Sequence, residues 1–322
     1  MIGRFVSIAA NTFLETIRQP LYGVILLVTA LMLILNLGLA GFTLEDDDKL
    51  LLDLGLSTLL VSGLFLSVFS ATGVLSREIE NKTVLTVVSK PVSRPLLIAG
   101  KYTGLMTALA MAMYLAFLMF LLTIRHQVLQ NTTDPWDMPV IVFGFGALSL
   151  SLSIGAFLNF YSGKEFASTT LALFTPLLTL ATILTGFWNK TWELQAFGEG
   201  IWSINIVWTG VLMLMAVMVL AAIALAASTR LSQVMTLLVC VLVTMMGLVS
   251  DFVLGERAAD SAVANALYKT IPNLGLYSAV DAVTSDVLIP TSYIAMAGGY
   301  TLLMVTAALL IGVALFQRRE VG

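Results

Sequence analysis

The chain has 322 residues, 59% hydrophobic and 11% charged, against about 45–50% apolar and about 25% charged in soluble domains. With a mean hydropathy of +0.98 it has too little polar surface to face water, so the solvent of this fold is lipid. A net charge of −3 supplies no basic field for nucleic acid, and the single cysteine, Cys240, excludes an intrachain disulfide or a cysteine metal cluster.

Residues 1–20 carry a polar stripe (Arg4, Ser7, Asn11, Glu15, Arg18) and an apolar one (Ile2, Phe5, Val6, Ala9, Phe13, Ile17). This spacing predicts an amphipathic helix, ended by Pro20, lying along the interface with its apolar side in the acyl boundary. It reads as an anchor, or as a lever that contacts a cytoplasmic partner. No cleavage-site pattern follows it, so the first span is expected to stay in place.

A hydrocarbon core of about 30 Å takes roughly 20 apolar residues per helix. Eight runs qualify: 21–42, 54–75, 102–124, 138–163, 166–188, 201–229, 231–250 and 287–317. The third is expected to begin near Leu96, with Lys101 snorkelling to the headgroups, and the eighth after Pro290. Only Lys164 and Glu165 part the fourth and fifth runs, and only Arg230 the sixth and seventh. Both pairs are predicted to be tight hairpins. The expectation is an all-α integral membrane protein, a polytopic bundle of about eight transmembrane helices with six as the fallback.

Between the second and third runs, 76–95 reads SREIENKTVLTVVSKPVSRP. Val84, Leu85, Val87 and Val88 seek burial, whereas Arg77, Glu78, Glu80, Asn81 and Lys82 seek water or a polar partner. A short helix with one face open for docking fits this pattern, stopped by Pro91 and Pro95; a solvated connector fits it too. The longest loop, 251–290, places Leu276, Val280, Val283 and Val287 at steps of four, three and four. With 258–268 before the Ile271-Pro272-Asn273 break, it predicts two short amphipathic helices at the outer face. The line of small residues at Gly63, Ser67, Ser70 and Ala71, and again the line at Ser149, Ser153 and Phe157 beside Ser151 and Gly155, predict close helix packing.

Cytoplasmic loops hold the excess of Lys and Arg. With both termini cytoplasmic, that side has 11 of the 16 basic residues, while the other side has 14 of the 19 acidic ones. None of the eight runs carries Asp, Glu, Lys, Arg or His, so the proton-relay chemistry of many pumps has no residues to use; Asn36 and Asn159 read as interface polar groups. The sole histidine, His126, has no partner pattern for metal or triad chemistry. Gly163-Lys164 lacks the earlier glycine of a phosphate loop, since Leu158 stands there, and no Ser or Thr follows the lysine.

The stretch SREIENKTVLTVVSKPVSRPLLIAGK (76–101), the turn AASTRLSQ (226–233), LYKTIPNLGLYS (267–278) and the terminal FQRREV (316–321) together resemble the ABC-type-2 permeases. The chain is similar to small bacterial members of nitrous-oxide-reductase maturation and gliding motility systems. The resemblance implies a permease domain over 21–322, with a coupling helix in 76–95 that docks on a separate cytoplasmic ABC ATPase. That ATPase, not this chain, would bind ATP and Mg. It further implies a second permease copy, a multi-pass place in a bacterial inner membrane, and export of an unidentified, lipid-like or hydrophobic substrate or force transmission. ATPase coupling falls to Arg77, Glu78, Glu80, Asn81, Lys82, Thr83, Pro91 and Arg94, with secondary cytoplasmic contacts at Arg4, Glu15, Arg18 and Arg230. One departure stands out: the family usually has six spans, so the two in 138–188 look like an inserted hairpin. A partner-independent facilitator or channel and a noncatalytic membrane scaffold are the rival readings.

Overall fold

The computed structural model describes residues 2–41, 47–80, 93–129, 134–198, 203–255, 257, 261–285 and 287–317, the side chains of 75–80 and 263 excepted. Helix α1 (Ile2–Ile17) is followed by α2 (Pro20–Ala40), α3 (Asp47–Glu80), α4 (Arg94–His126), α5 (Met138–Ser162), α6 (Phe166–Thr185), α7 (Ile204–Ser228) and α8 (Gln233–Ser250). The short α9 (Ala262–Thr270) and α10 (Val280–Thr284) precede α11 (Thr291–Gln317). Among the described residues eight helices, α2 to α8 and α11, are long and apolar enough to cross a bilayer. The protein is therefore an all-α polytopic membrane bundle, as the run lengths predict.

Local chemistry explains the boundaries. Proline at the first or second helical position opens α2, α4 and α5, where its missing N–H was unsatisfied anyway. The α5–α6 turn closes on Gly163, whose φ of 63° is free of the Cβ penalty. Its N–H donates to the Asn159 carbonyl at 3.0 Å, and the Asn159 amide donates to the Lys164 carbonyl at 2.6 Å. Glu165 then caps α6, accepting from the amides of Ala167 (3.1 Å) and Ser168 (2.8 Å). Two charged residues thus suffice to turn the chain, and Asn159 serves the turn itself.

Helices α3, α4 and α7 form the centre, each buried over more than half of its most apolar stretch, while the other spans are buried over less than a third. Helix α7 lies between α3 and α11, and α4 packs on α2, α3 and α7. The stripe at Gly63, Ser67, Ser70 and Ala71 sits in this core. A Cβ at Gly63 would come within 2.3 Å of Val217 on α7, so the two backbones approach closely there. The second stripe divides: Ser151 and Gly155 face α6, with Thr170 against Gly155, whereas Ser149, Ser153 and Phe157 are exposed. Cys240 is buried in α8.

Three expectations need correction. Lys101 does not snorkel; it is 3% exposed, and its Nζ donates to the Val74 carbonyl at 3.1 Å. Asn36 is no interface group, because its amide is buried and donates to the Thr58 hydroxyl at 3.0 Å. Leu276, Val280, Val283 and Val287 do not share one helix. Leu276 lies in a 3₁₀ turn (Gly275–Tyr277), α10 stops at Thr284, and Val287 follows it. The Asn273 side chain draws the Leu276 amide at 3.3 Å, a local bond that competes with helix continuation. The first helix of this segment, α9, does form, over Ala262–Thr270, with Ser261 as its cap.

Candidate functional site

The all-helical connectivity and the even number of crossings among the described residues gather α1, the C-terminal end of α3, the start of α4, the α5–α6 and α7–α8 turns and the end of α11 at one end of the bundle. Helix α1 presents three faces. Thr12, Thr16 and Ile17 are buried, with Phe5, Ile8, Ala9 and Phe13 half-buried. Ile2 and Val6 form an exposed apolar face, and Arg4, Asn11, Glu15 and Arg18 an exposed polar one. Its apolar side is therefore shared between lipid and protein, with α4 as the main protein contact.

That contact depends on two glycines one helical turn apart. A Cβ at Gly100 would meet the Ile8 side chain at 2.9 Å, and one at Gly104 would lie 2.2 Å from the Ala9 carbonyl oxygen. The chain Gly-Lys-Tyr-Thr-Gly is a small-xxx-small pattern, the signal that could have located this seam in the sequence. Between the glycines sits Lys101, whose bond to Val74 joins the first turns of α4 to the last described side chains of α3. Gln19, in the link between α1 and α2, packs against Gly73 on the same stretch of α3. A hollow of 450 Å³ lined by Asn11, Glu15, Arg18 and Gln19 opens beside it.

The predicted contact residues fall as follows. Arg94 donates to the Gln317 carbonyl at 2.7 Å and lies 5.8 Å from the centre of the Phe316 ring. Arg230 donates to the Leu315 carbonyl at 3.0 Å. Both therefore satisfy carbonyls left open where α11 ends, and both complement its dipole. Arg18 faces the α5–α6 turn. Slight burial pushes the Glu165 carboxyl up, but hydrogen bonds from Ser168 and Ala167 and the charge of Arg18 outweigh it and hold the group below its ordinary range. Arg4 and Glu15 are exposed on α1. Arg77, Glu78 and Glu80 lie on the last turn of α3, their side chains outside the described set, and Asn81, Lys82, Thr83 and Pro91 lie outside the described residues.

The opposite end holds a feature that composition does not reveal. Arg125 (2% exposed side chain) and Asp137 (0%) form a buried ion pair, Nε to Oδ2 at 3.2 Å. The guanidinium also donates to the carbonyls of Thr185 and Trp188, and Asp137 caps α5 by accepting the Val140 amide at 3.1 Å. One arginine thereby fastens α4, α5 and α6. Only an arginine closing an apolar run, followed by an Asp-Met-Pro helix start, hints at it in the sequence.

Residues 25–235 match the family described as ABC-2 family transporter protein, a stretch that runs from within α2 to the first residues of α8. No curated protein matches the chain.

Proposed function

Since the chain belongs to the ABC-2 transporter family, being a permease subunit and not itself the ATPase, we propose that a separate cytoplasmic ABC ATPase drives it to export a lipid-like or hydrophobic substrate. The charged end of the bundle faces the cytoplasm in this reading, supported by the sequence, in which the loops and termini assigned to that side hold 11 of the 16 Lys and Arg. The ATPase docks on the 76–95 loop, with Glu78 and Glu80 as its acidic contacts and Arg4, Glu15 and Arg18 along the flank. ATP and Mg belong to that partner, and two permease copies in an inner membrane complete the assembly.

The observation that carries this reading is the Lys101 bond to Val74. It joins α3 and α4 close to where the loop leaves them, and both helices belong to the buried centre. A push on the loop thus has a stiff path into the bundle, whose core is close-packed and transmits displacement. Helix α1, seated on Gly100 and Gly104, would travel with it.

The test is isolation of the complex from native membranes with Glu78→Lys and Glu80→Lys together. Loss of the co-purifying ATPase, or of substrate-stimulated ATP hydrolysis with the permease still folded, is the expected result. Unchanged binding and unchanged coupled hydrolysis would remove the loop from the mechanism. Substrate movement in liposomes without any ATPase would favour a facilitator instead.

A further inference from the structure

A groove of 690 Å³ runs between α2 and the α5–α6 hairpin, with α4 as its floor. We propose that it binds one acyl chain of a membrane phospholipid, whose phosphate sits at the mouth beside Gln127 and Lys190. The volume lies within the roughly 300–1,000 Å³ typical of ligand sites. Along α2 the lining runs from Ala30 to Gly41, which at about 1.5 Å per residue is about 16 Å. That is about half of a hydrocarbon core of about 30 Å, the depth of one leaflet.

The chemistry of the lining changes along this length in the way an amphiphile does. Leu33, Leu37, Leu122, Leu148, Phe174 and Leu178 surround the deep part. Thr123 lies along it with its hydroxyl already committed to the Met119 carbonyl at 2.9 Å. His126 and Gln127 stand at the far end of α4, and there the Lys190 ammonium donates to the Gln127 side-chain oxygen at 3.0 Å. The lysine is held by a neutral amide, so its charge is available to a phosphate. A transmembrane helix from a second copy would be apolar throughout and would not call for this cationic end.

Access and level fit the same occupant. Helices α2 and α5 each pack on α4 but stand apart from one another across the groove. Ile34 and Phe145, both about half exposed, form its lips toward the bilayer. Trp136 lines the mouth, edge-on to His126 at 5.9 Å, and Trp188 and Trp192 meet at 5.8 Å on the same end. Clustered tryptophans mark headgroup level. The Arg125–Asp137 pair ties the ends of α4, α5 and α6 together at this same end.

The site requires neither an ATPase nor transport, so its test stands apart from the export reading. The full chain is reconstituted in vesicles of phosphatidylglycerol and phosphatidylethanolamine containing a phospholipid with a photoreactive diazirine in its acyl chain, and labelled peptides are mapped. Gly38 lines the groove with nothing within 4 Å of its Cβ position. Gly38→Phe therefore fills the space without a backbone clash and raises helix propensity. Gly146→Phe, exposed on α5 and outside the lining, is the matched control. Labelling of α2, α4 and α5 peptides is expected in the parent and in Gly146→Phe and to be lost in Gly38→Phe. Lys190→Gln is expected to weaken labelling by phosphatidylglycerol. Equal labelling of both phenylalanine variants would mean ordinary boundary lipid, and cross-links between two copies through the groove would mean a protein occupant; either overturns the proposal.

Discussion

Among single residues, Arg125 and Asp137 carry a large energetic stake, because both are charged and buried. Each ion costs several kcal/mol to bury, and removing one partner of such a pair typically costs about 3–5 kcal/mol because the other charge is stranded. Asp137→Asn isolates that effect, since asparagine caps a helix about as well as aspartate and can still accept the Val140 amide. It is expected to cost about 3 kcal/mol, read as a large drop in the apparent melting temperature of the detergent-solubilised protein. Arg125→Met should cost a comparable amount, and the double variant little more than the worse single one, because two groups in one network are not additive. Parent-like melting of Asp137→Asn would show that the pair does not lock the three helices. Neither residue was legible as a pair, because the contact joins the end of one helix to the cap of the next and depends on α6 bringing its terminal carbonyls to the same place. Lys101 departs from its sequence expectation for a related reason: its position at the edge of an apolar run fits snorkelling, and only the neighbouring α3 backbone supplies the buried acceptor.

For whole elements, what periodicity can say is which face is apolar, not what covers it. The stripes of α1 were readable, yet its partner emerges only from the Gly100–Gly104 seam on α4. Gly104→Leu places side-chain atoms where the Ala9 carbonyl stands, and a backbone atom cannot swing aside as a flexible side chain can. Helix α1 must then lift. Faster trypsin cleavage after Arg18 is expected in Gly104→Leu, while Gly23→Leu on α2, with open space at its Cβ, should cleave like the parent. Equal cleavage of all three would show that α1 is not held by this seam. The spans themselves were legible because bilayer thickness sets a minimum run length, and the α5–α6 turn because Gly, Lys and Glu have no other use between two apolar stretches. The segment 251–290 was less so. Its apolar spacing of four, three and four is compatible with a helix, but Pro272 and the Asn273 side chain impose turns that periodicity does not register.

Across the whole molecule, the docking reading and the eight-span topology depend on one geometric statement, that α1, the α5–α6 turn, the α7–α8 turn and the end of α11 face the cytoplasm together. The grouping at one end follows from the crossings, whereas the side is inferred from charge, which acts during insertion and leaves no contact to inspect. Thiol labelling addresses both. Cys240, the only native thiol, is buried, so Cys240→Ser gives a silent background. Single changes Ser7→Cys, Ser162→Cys and Ser232→Cys mark one end, and Glu193→Cys and Ser261→Cys the other, all at exposed positions. In intact cells an impermeant maleimide is expected to reach only positions 193 and 261, and the other three only after permeabilisation. Labelling of position 162 from outside would mean that the α5–α6 hairpin does not cross. Labelling of 232 but not of 7 would make the number of crossings between them odd. If the pattern inverted entirely, the fold would stand but the ATPase would have no route to the 76–95 loop, since that loop shares its side with positions 7 and 162.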